Sequence, residues 1–322
     1  MTPANSQSKL PKVGLALGSG GARGAAHTGV LKVLEAEGIP LSVVTGSSIG
    51  ALVGAAMAIG LPADKMEKEW LSIGTRRLLR GFLPSLHAAG FSSGNELKRM
   101  LAELLGDHTI EELSMPYGAI ACDIDTGEAV TLCEGPLVDA VRASTAIPGI
   151  FYPMRYGKRL LVDGGLVDPV PIALCRELGA EVVIAVDITP RPIHTTPRGR
   201  KLWDRLGDSM KETLAHSTVM PASLAEWLEN IFRERPNEER PLPGLYSIMN
   251  QTVSILLQEM LRQKLILCPP DVLIRPDIDV SFMAYQHARD GIDAGVQAAE
   301  AAMPEIRACL AKSSTQQGTS GL

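Results

Sequence analysis

The sequence predicts an α/β fold with a mainly parallel central sheet. Two short aliphatic runs, at 13–17 and 43–45, are each followed by a longer helical pattern, over 22–37 and 49–59. The first run is continuously apolar, which is typical of strands in a parallel sheet that are buried on both faces. In each unit a glycine-rich turn joins strand to helix, and such turns meet at the carboxyl edge of a parallel sheet. We therefore expect one shared site at this edge.

The composition is that of a globular protein with a substantial core. The chain has 322 residues, of which 45% are hydrophobic, and a formal net charge of −5. Because no basic patch is interleaved with aromatic residues, no nucleic-acid partner is predicted. The polar N-terminal tail, 1–11, leads into a glycine-rich loop, so no signal peptide is predicted, and the apolar run over 49–61 is too short and glycine-rich to span a bilayer. These features predict a cytoplasmic protein.

The cysteines carry no metal or disulfide signature. No two of them have C-x-x-C spacing, and none has a histidine at ligand spacing. The sequence therefore predicts no metal site, no cofactor and a reducing compartment. The five cysteines are Cys122, Cys133, Cys175, Cys268 and Cys309.

The first glycine-rich loop, 18–24, does not fit a nucleotide-binding pattern. The dinucleotide fingerprint requires glycine where Arg23 stands, and Gly24 comes one residue late. The P-loop pattern fails because no Gly-Lys-Ser/Thr follows. The remaining interpretation is a nest of backbone N–H groups that binds an anion, such as a transient oxyanion.

The second turn, 46–50, has the G-x-S-x-G pattern of a nucleophile elbow. Such a turn is so tight that its central residue takes a strained backbone conformation, and side chains two positions to either side would clash. Only Ser48 has glycine at both positions, so Ser48 rather than Ser47 is the candidate nucleophile. The alternative is that Ser48 is an ordinary N-cap of the following helix, and the pentapeptide alone leaves both interpretations open.

The middle of the chain alternates helices and strands with one apolar loop. The proline-rich loop at 146–153 favours a pocket wall for an apolar group. Asp123 and Asp125 are interpreted as turn formers, whereas Asp163, which precedes two glycines, is either a turn former or a site acid. Helices are predicted over 93–106, with a Ser93–Glu96 capping box, and 137–144; strands are predicted over 117–122, 129–132, 159–162 and 181–187.

The character of the chain changes after residue 189. Two amphipathic helical patterns follow, at 224–232, which includes Trp227 and Phe232, and at 245–261. Their apolar faces must be buried, and three alternatives stay open for 203–265: packing on the domain, a homodimer interface, or a lid in peripheral contact with a membrane. A strand over 272–274, a helix over 281–302 and a disordered tail over 312–322 complete the chain.

Three elements in order, the loop at 20–24, the elbow at 46–50 and the triplet at 163–165, resemble the patatin-like phospholipase family. The resemblance covers 11–190 and 267–310 and is greatest to bacterial members similar to the catalytic domain of neuropathy target esterase. It implies a three-layer α/β/α fold. It also implies a patatin-like hydrolase domain over 12–311, with a helical insertion at about 196–264.

The resemblance also implies a function and a set of site residues. The expected activity is hydrolysis of lipid acyl esters, of the phospholipase A or lysophospholipase type, by a serine–aspartate dyad through an acyl-enzyme. Ser48 would be the nucleophile and Asp163 its base. Gly20, Gly21 and Arg23 would form the oxyanion hole, supported by Gly18, Gly24, Gly46, Gly50, Gly164 and Gly165, and the acyl pocket would include Ile147, Pro148, Ile150 and Phe151.

The histidines offer no good alternative base. An α/β-hydrolase would place several strands before its elbow and a histidine late in the chain, but here one strand–helix unit precedes Ser48. His27 lies within the first predicted helix, where a packing or surface role is expected. Two other functions stay open: a serine peptidase using the same site, which the apolar loop disfavours, and a non-catalytic lipid- or nucleotide-binding module, which the failed phosphate patterns disfavour.

Overall fold

The computed structural model describes residues 11–72, 94–148, 150–189, 245–280 and 284–319. These residues form one sheet of eight strands in the spatial order β5-β6-β3-β2-β1-β7-β8, with β4 also paired to β3. The strands are β1 Val13–Leu17, β2 Leu41–Ser47, β3 Tyr117–Asp123, β4 Ala129–Leu132, β5 Met154–Tyr156, β6 Arg159–Asp163, β7 Val182–Val186 and β8 Val272–Ile274.

The sheet is mixed and mostly parallel at its centre. The pairs β1–β2, β1–β7, β2–β3 and β7–β8 are parallel. The pairs β3–β4, β3–β6 and β5–β6 are antiparallel. Strands β1, β2 and β3 therefore run toward one edge. Strand β6 enters from beyond that edge and runs the opposite way, and its last residue, Asp163, pairs with Ala121, level with the end of β2.

Helices cover both faces of the sheet. They are α1 Ala25–Ala36, α2 Ile49–Ala58, α3 Ala63–Ser72, α4 Asn95–Leu105, α5 Leu137–Ser144, α6 Ile172–Glu177, α7 Leu245–Leu267 and α8 Ala288–Thr319. Short 3₁₀ turns lie at Gly21–Gly24, Ile110–Glu112, Gly164–Leu166 and Tyr285–His287.

Alternating side chains of the central strands belong to two separate cores. Leu15 and Leu17 pack into the larger core with residues of α1, α2 and α8, whereas Ala16 packs with residues of α6 and with Leu261 in the smaller one. This two-sided burial explains why β1 is apolar at every position. The prediction of a three-layer α/β/α fold with a mainly parallel sheet is confirmed.

Several predicted boundaries differ from the structure. The helix predicted from 22 begins as the 3₁₀ turn at Gly21–Gly24, because the glycine loop winds tightly before α1 starts. Helix α4 begins at Asn95 after Gly94, and the predicted N-cap Ser93 lies outside the described residues. The backbone of 312–319 is helical as part of α8, where a disordered tail was predicted, and the short helix α6 was not predicted. Polar composition alone did not reveal that α8 continues.

The chain divides into two compact units. The first comprises Met1–Thr189 and Met260–Leu322, and the second comprises Pro190–Glu259. Of the second unit, the structure describes 245–259, which are helical, in agreement with the predicted pattern at 245–261. The pattern at 224–232 lies outside the described residues, so the role of 203–265 stays a prediction. Among the described helices, none combines the length and apolarity that a membrane span requires.

Candidate active site

The elbow serine has the backbone conformation that the G-x-S-x-G pattern predicts. Ser48, between β2 and α2, has φ 54° and ψ −121°, and within the described part of the chain it is the one non-glycine residue with positive φ. Its hydroxyl oxygen makes no N-cap hydrogen bond to α2. The alternative of an ordinary N-cap serine is therefore wrong for this structure.

The two flanking glycines are required by close backbone contacts. A Cβ atom at Gly46 would lie 2.3 Å from the carbonyl group of Gly50, and one at Gly50 would lie 2.2 Å from the carbonyl oxygen of Leu17. Neither clash could be relieved without moving the main chain. The glycines thus allow the elbow to fold back on itself and α2 to pack directly against β1.

The sheet register brings Asp163 to the elbow. On β3, Ile120 pairs with Ser47 and the next residue, Ala121, pairs with Asp163. The ends of β2 and β6 therefore reach the same level of the sheet. The Ser48 hydroxyl donates a hydrogen bond of 2.5 Å to Oδ2 of Asp163, from which it is separated by 115 residues in sequence.

Hydrogen bonds hold Asp163 in place, and its environment changes the pKa of its carboxyl group. Its Oδ1 accepts a 2.8 Å hydrogen bond from the Gly165 N–H, and its own N–H donates to the carbonyl of Ala146. Burial raises the pKa of the carboxyl to about 6, and the hydrogen bonds from Ser48 and Gly165 counteract part of this rise. The carboxylate is thus a stronger base than an exposed aspartate and is still ionised at neutral pH.

Ser144 is a site residue that the sequence analysis did not identify. Its hydroxyl oxygen, at the end of α5, accepts a 2.9 Å hydrogen bond from the N–H of Ser48. The neighbouring Ser47 is fully buried, and no hydrogen-bond partner for its hydroxyl is found. The strained residue is therefore held at its side chain by Asp163 and at its backbone by Ser144.

The glycine loop has backbone N–H groups that donate to no acceptor within the described residues. The N–H groups of Gly18 and Ser19 donate to backbone carbonyl oxygens elsewhere in the same chain, whereas those of Gly20 and Gly21 have no protein acceptor within the described residues. Gly21 lines the same cavity as Ser48. The predicted oxyanion residue Arg23 is placed differently, because its N–H lies 3.4 Å from the Gly20 carbonyl and donates to it.

The side chains of Arg23 and His27 form hydrogen bonds with backbone carbonyls of the glycine loop. The Arg23 guanidinium is buried and donates to the Gly20 carbonyl at 3.5 Å, and burial lowers its pKa to about 10 although Asp279 opposes this. His27 is completely buried, with Nε2 2.8 Å from the carbonyl oxygen of Gly18. Burial lowers the pKa of His27 to about 4, so the neutral ring donates Nε2–H to Gly18. Of the packing or surface role predicted for His27, the structure shows packing, with this hydrogen bond in addition.

A largely apolar cavity of about 170 Å³ opens beside Ser48. One wall is α2, along which the cavity extends from Ser48 to Ala56, and a second wall is α4. The rings of Trp70 and Tyr285, both lining residues, are stacked with centroids 6.2 Å apart. Lining by α2, α4, Trp70 and Tyr285 was not predicted, because these parts of the wall come from distant segments of the chain.

The predicted acyl-pocket residues separate into two groups. Ile147 and Phe151 line the cavity. Pro148 is exposed and Ile150 is half-buried, and neither is a lining residue. The Phe151 N–H donates to the Ile147 carbonyl, so the two lining residues lie four positions apart across one hydrogen-bonded turn.

The Ser48 hydroxyl is hydrogen-bonded to a carboxylate, whereas the nucleophile of an α/β-hydrolase is paired with a histidine. Residues 15–176, half of the chain, match the family described as Patatin-like phospholipase. The chain belongs to this family.

Named relatives agree with this membership. The chain is 41% identical over 181 residues to a Mycobacterium bovis protein named as an uncharacterized NTE family protein, covering 56% of this chain and 50% of that one. It is 34% identical over 181 residues to human patatin-like phospholipase domain-containing protein 6 and 35% to Drosophila melanogaster neuropathy target esterase sws, covering 55% of this chain and 13% of each relative. The match thus spans half the length of the bacterial relative and 13% of the length of the human and Drosophila relatives. VipD from Legionella pneumophila gives a TM-score of 0.44 at 15% identity, over 91% of this chain and 67% of that one.

Proposed function

We propose that the protein hydrolyses acyl esters of lipids, as a phospholipase A or lysophospholipase, through a Ser48–Asp163 dyad and an acyl-enzyme. The observation that carries this proposal is the 2.5 Å hydrogen bond from a strained serine hydroxyl to a buried carboxylate, at the mouth of an apolar cavity. The names of the relatives, which include a phospholipase domain and an esterase, support the same class of reaction.

In the first step, the Ser48 oxygen attacks the ester carbonyl carbon while its proton passes to Oδ2 of Asp163. A carboxylate is a weak base toward a serine hydroxyl, but burial and the raised pKa strengthen it. The hydrogen bond from Gly165 to Oδ1 keeps Oδ2 directed at the serine. The attacking atom and its base are therefore aligned before substrate binds.

The charge that develops on the carbonyl oxygen needs donors that do not have to reorganise. The N–H groups of Gly20 and Gly21 and the N-terminal end of α2 would supply them. Arg23 and His27 would act indirectly, because each holds a carbonyl of this loop and so orients the peptide groups. In this proposal Arg23 positions the oxyanion hole instead of donating to the oxyanion.

Collapse of the tetrahedral intermediate breaks the ester C–O bond, and Asp163 returns the proton to the departing alcohol. Ser48 then carries the acyl group as an ester. Asp163 next takes a proton from a water molecule, whose oxygen attacks the acyl carbon, and Ser48 recovers its proton as the fatty acid leaves. One ester and one water are consumed, and one acid and one alcohol are released.

The cavity favours an acyl chain over a peptide side chain. It follows α2 for eight residues from Ser48, a length of about 12 Å at the helical rise. An extended hydrocarbon chain of roughly nine or ten carbons would span this length. The few polar groups among the lining residues, chiefly Glu69 and Thr145, offer little to a peptide backbone. A peptidase and a non-catalytic binding module are therefore less well supported.

An activity-based probe combined with a substrate panel tests the proposal. A fluorophosphonate should label the protein once, and Ser48→Ala should abolish both labelling and ester hydrolysis with the fold retained by circular dichroism. The matched control is Ser47→Ala, which removes the adjacent hydroxyl and should keep most of the rate. Cleavage of peptides but not lipid or short-chain esters would favour the peptidase, and equal activity of Ser48→Ala would exclude the dyad.

A further inference from the structure

A buried arginine joins two walls of the cavity. Arg142, in α5, is 4% exposed. Its Nε–H donates to the Gly94 carbonyl, at the start of α4, at 3.3 Å, and its Nη2–H donates to the Tyr152 carbonyl at 3.1 Å. Its guanidinium carbon also lies 5.2 Å from the centre of the Phe151 ring, which lines the cavity. One side chain therefore contacts α4 and the apolar loop together.

This arginine is not a member of an ion pair in the described part of the chain. Within the described residues, Nε and Nη2 donate to backbone carbonyls, and the buried Nη1 has no hydrogen-bond partner. Burial lowers the pKa of the guanidinium. Burying a cation without a counter-ion costs free energy. The guanidinium is planar and rigid, however, and because it donates to two carbonyls it is suited to holding two segments at a defined separation.

The guanidinium of Arg142 occupies the space that a side chain at Gly94 would need. Gly94 has φ +71°, and a Cβ atom there would lie 1.9 Å from Nη2 and 2.4 Å from both Cζ and Nε of Arg142. The contact depends on the missing side chain as well as on the backbone conformation. Gly106, at the other end of α4, has a nearly identical φ of +72°, but a Cβ there would meet only the His108 ring, at 3.4 Å.

We propose that Arg142 is a positioning residue for the acyl pocket. By linking the first turn of α4 to the loop that carries Ile147 and Phe151, it sets the separation of the walls and so how closely they grip an acyl chain. The inference rests on the proposed function, because it takes an acyl group as the occupant of the cavity. Residues of α4 that depend on this link are Leu97, Met100, Leu101 and Leu104.

The test measures how strongly labelling of Ser48 depends on chain length. Fluorophosphonates with two-carbon and ten-carbon alkyl chains are compared, and the labelling rate of the intact protein is followed by mass spectrometry. Burial of each methylene corresponds to an about fourfold gain in rate at most. We expect Arg142→Met to lower the ratio of long-probe to short-probe rates by about tenfold, the equivalent of roughly two methylenes.

A second variant reaches the same contact from the other side. Gly94→Ala keeps the arginine but displaces its guanidinium, so it should lower the same ratio, and it should have no further effect on the ratio in the Arg142→Met background. Gly106→Ala is the control at the other end of α4, because Gly106 also has positive φ and its ψ of −167°, against 6° at Gly94, makes an alanine there at least as strained, yet its Cβ would not approach Arg142. Its ratio should equal that of the parent protein.

The possible failures are distinguishable. If the parent protein is labelled with a steep chain-length dependence and both Arg142→Met and Gly94→Ala keep that ratio, the positioning role is wrong and the proposed function stands. A loss of rate in equal proportion for both probes also overturns the positioning role. If no probe labels the parent protein, the proposed hydrolysis fails, and the inference about its pocket fails with it.

Discussion

Ser48 shows how a single strained residue is maintained. A positive φ at a non-glycine residue costs on the order of 1–3 kcal/mol and persists only when its surroundings require it. Here the requirement comes from the bond of its hydroxyl to Asp163 and the bond of its N–H to Ser144. In this strained backbone conformation the hydroxyl is directed at the carboxylate, which is the geometry that the proposed nucleophile and base require.

Asp163→Asn should remove most of the esterase activity proposed for the site. The asparagine can keep an oxygen toward the Gly165 N–H, but its other atom toward Ser48 would then be an amide nitrogen, which cannot accept the serine proton. We expect kcat to fall by about 10²–10⁴-fold, the range for loss of a general base. Steady-state kinetics with a soluble ester measure this fall.

The control for this prediction is the double variant. Because the two residues act as a unit, Ser48→Ala combined with Asp163→Asn should be little slower than either single change. Substitution of His27, His108 or His287 should leave a clearly larger share of the rate. A change of His108 or His287 that silences the enzyme would contradict the dyad, whereas a lower rate at His27 would reflect the loop that its ring positions.

At the scale of elements, α2 has three roles at once. Its N-terminal end lies beside the glycine loop, its Gly50 packs against β1, and Ile49, Leu52, Val53 and Ala56 line the cavity. The small residues along the helix make these close approaches feasible. The direction of α2 therefore determines both where the oxyanion would be stabilised and which way the acyl chain would run.

Ala56→Leu should shorten the pocket. Ala56 is the lining residue of α2 farthest along the helix from Ser48, and a larger side chain there would occupy the space of the terminal methylenes. We expect the ratio of kcat/KM for a ten-carbon ester to that for a four-carbon ester to fall about tenfold, as the loss of roughly two buried methylenes implies. A series of p-nitrophenyl esters measures the ratio.

Met57→Phe is the matched control on the same helix. Met57 is half-buried and does not line the cavity, so its enlargement should not change the chain-length ratio. An unchanged ratio in Ala56→Leu, with the variant folded, would mean that the acyl chain does not follow α2.

At the scale of the whole molecule, buried titratable groups couple stability to pH in opposite directions. Burial raises the pKa of Asp163 and of Asp168 from 3.8 to about 6, so their contribution to stability is present at low pH and is lost as pH rises through about 6. Burial lowers the pKa of His27 from 6.5 to about 4, so its contribution is present above pH 6.5 and is lost as pH falls toward 4.

His27→Gln should therefore reduce the loss of unfolding free energy that the protein undergoes between neutral and acid pH. The neutral amide can still donate a hydrogen bond toward Gly18, but it does not take up a proton on unfolding. The stability difference between parent and variant should move in favour of the variant by up to about 3 kcal/mol between pH 7.5 and pH 4. Urea unfolding at the two pH values measures it.

The exposed His108 provides the comparison. His108→Gln changes the same residue type outside the core, so its stability difference from the parent should vary much less between the two pH values. If the two glutamine variants showed the same pH dependence, His27 would not be the buried neutral ring that the structure indicates.

The turn chemistry and the fold class were readable from sequence because their causes are local. Glycines two residues before and after Ser48 fit one kind of strand-to-helix turn, and the apolar runs at 13–17 and 182–186 fit buried parallel strands. The boundaries of α5 and β8 agree with the predicted ones for the same reason. The order of motifs was sufficient to indicate the family.

What sequence could not predict is which distant segments meet at this elbow. Ser144 at the Ser48 N–H, His27 under Gly18, and Arg142 between Gly94 and Tyr152 have no spacing rule of their own. Each sits in an ordinary helical pattern and acquires its role only through contacts between elements that are distant in the sequence. Local propensities fix a residue's conformation, but long-range packing chooses its neighbours, so the walls of the cavity emerge only when the helices assemble on the sheet.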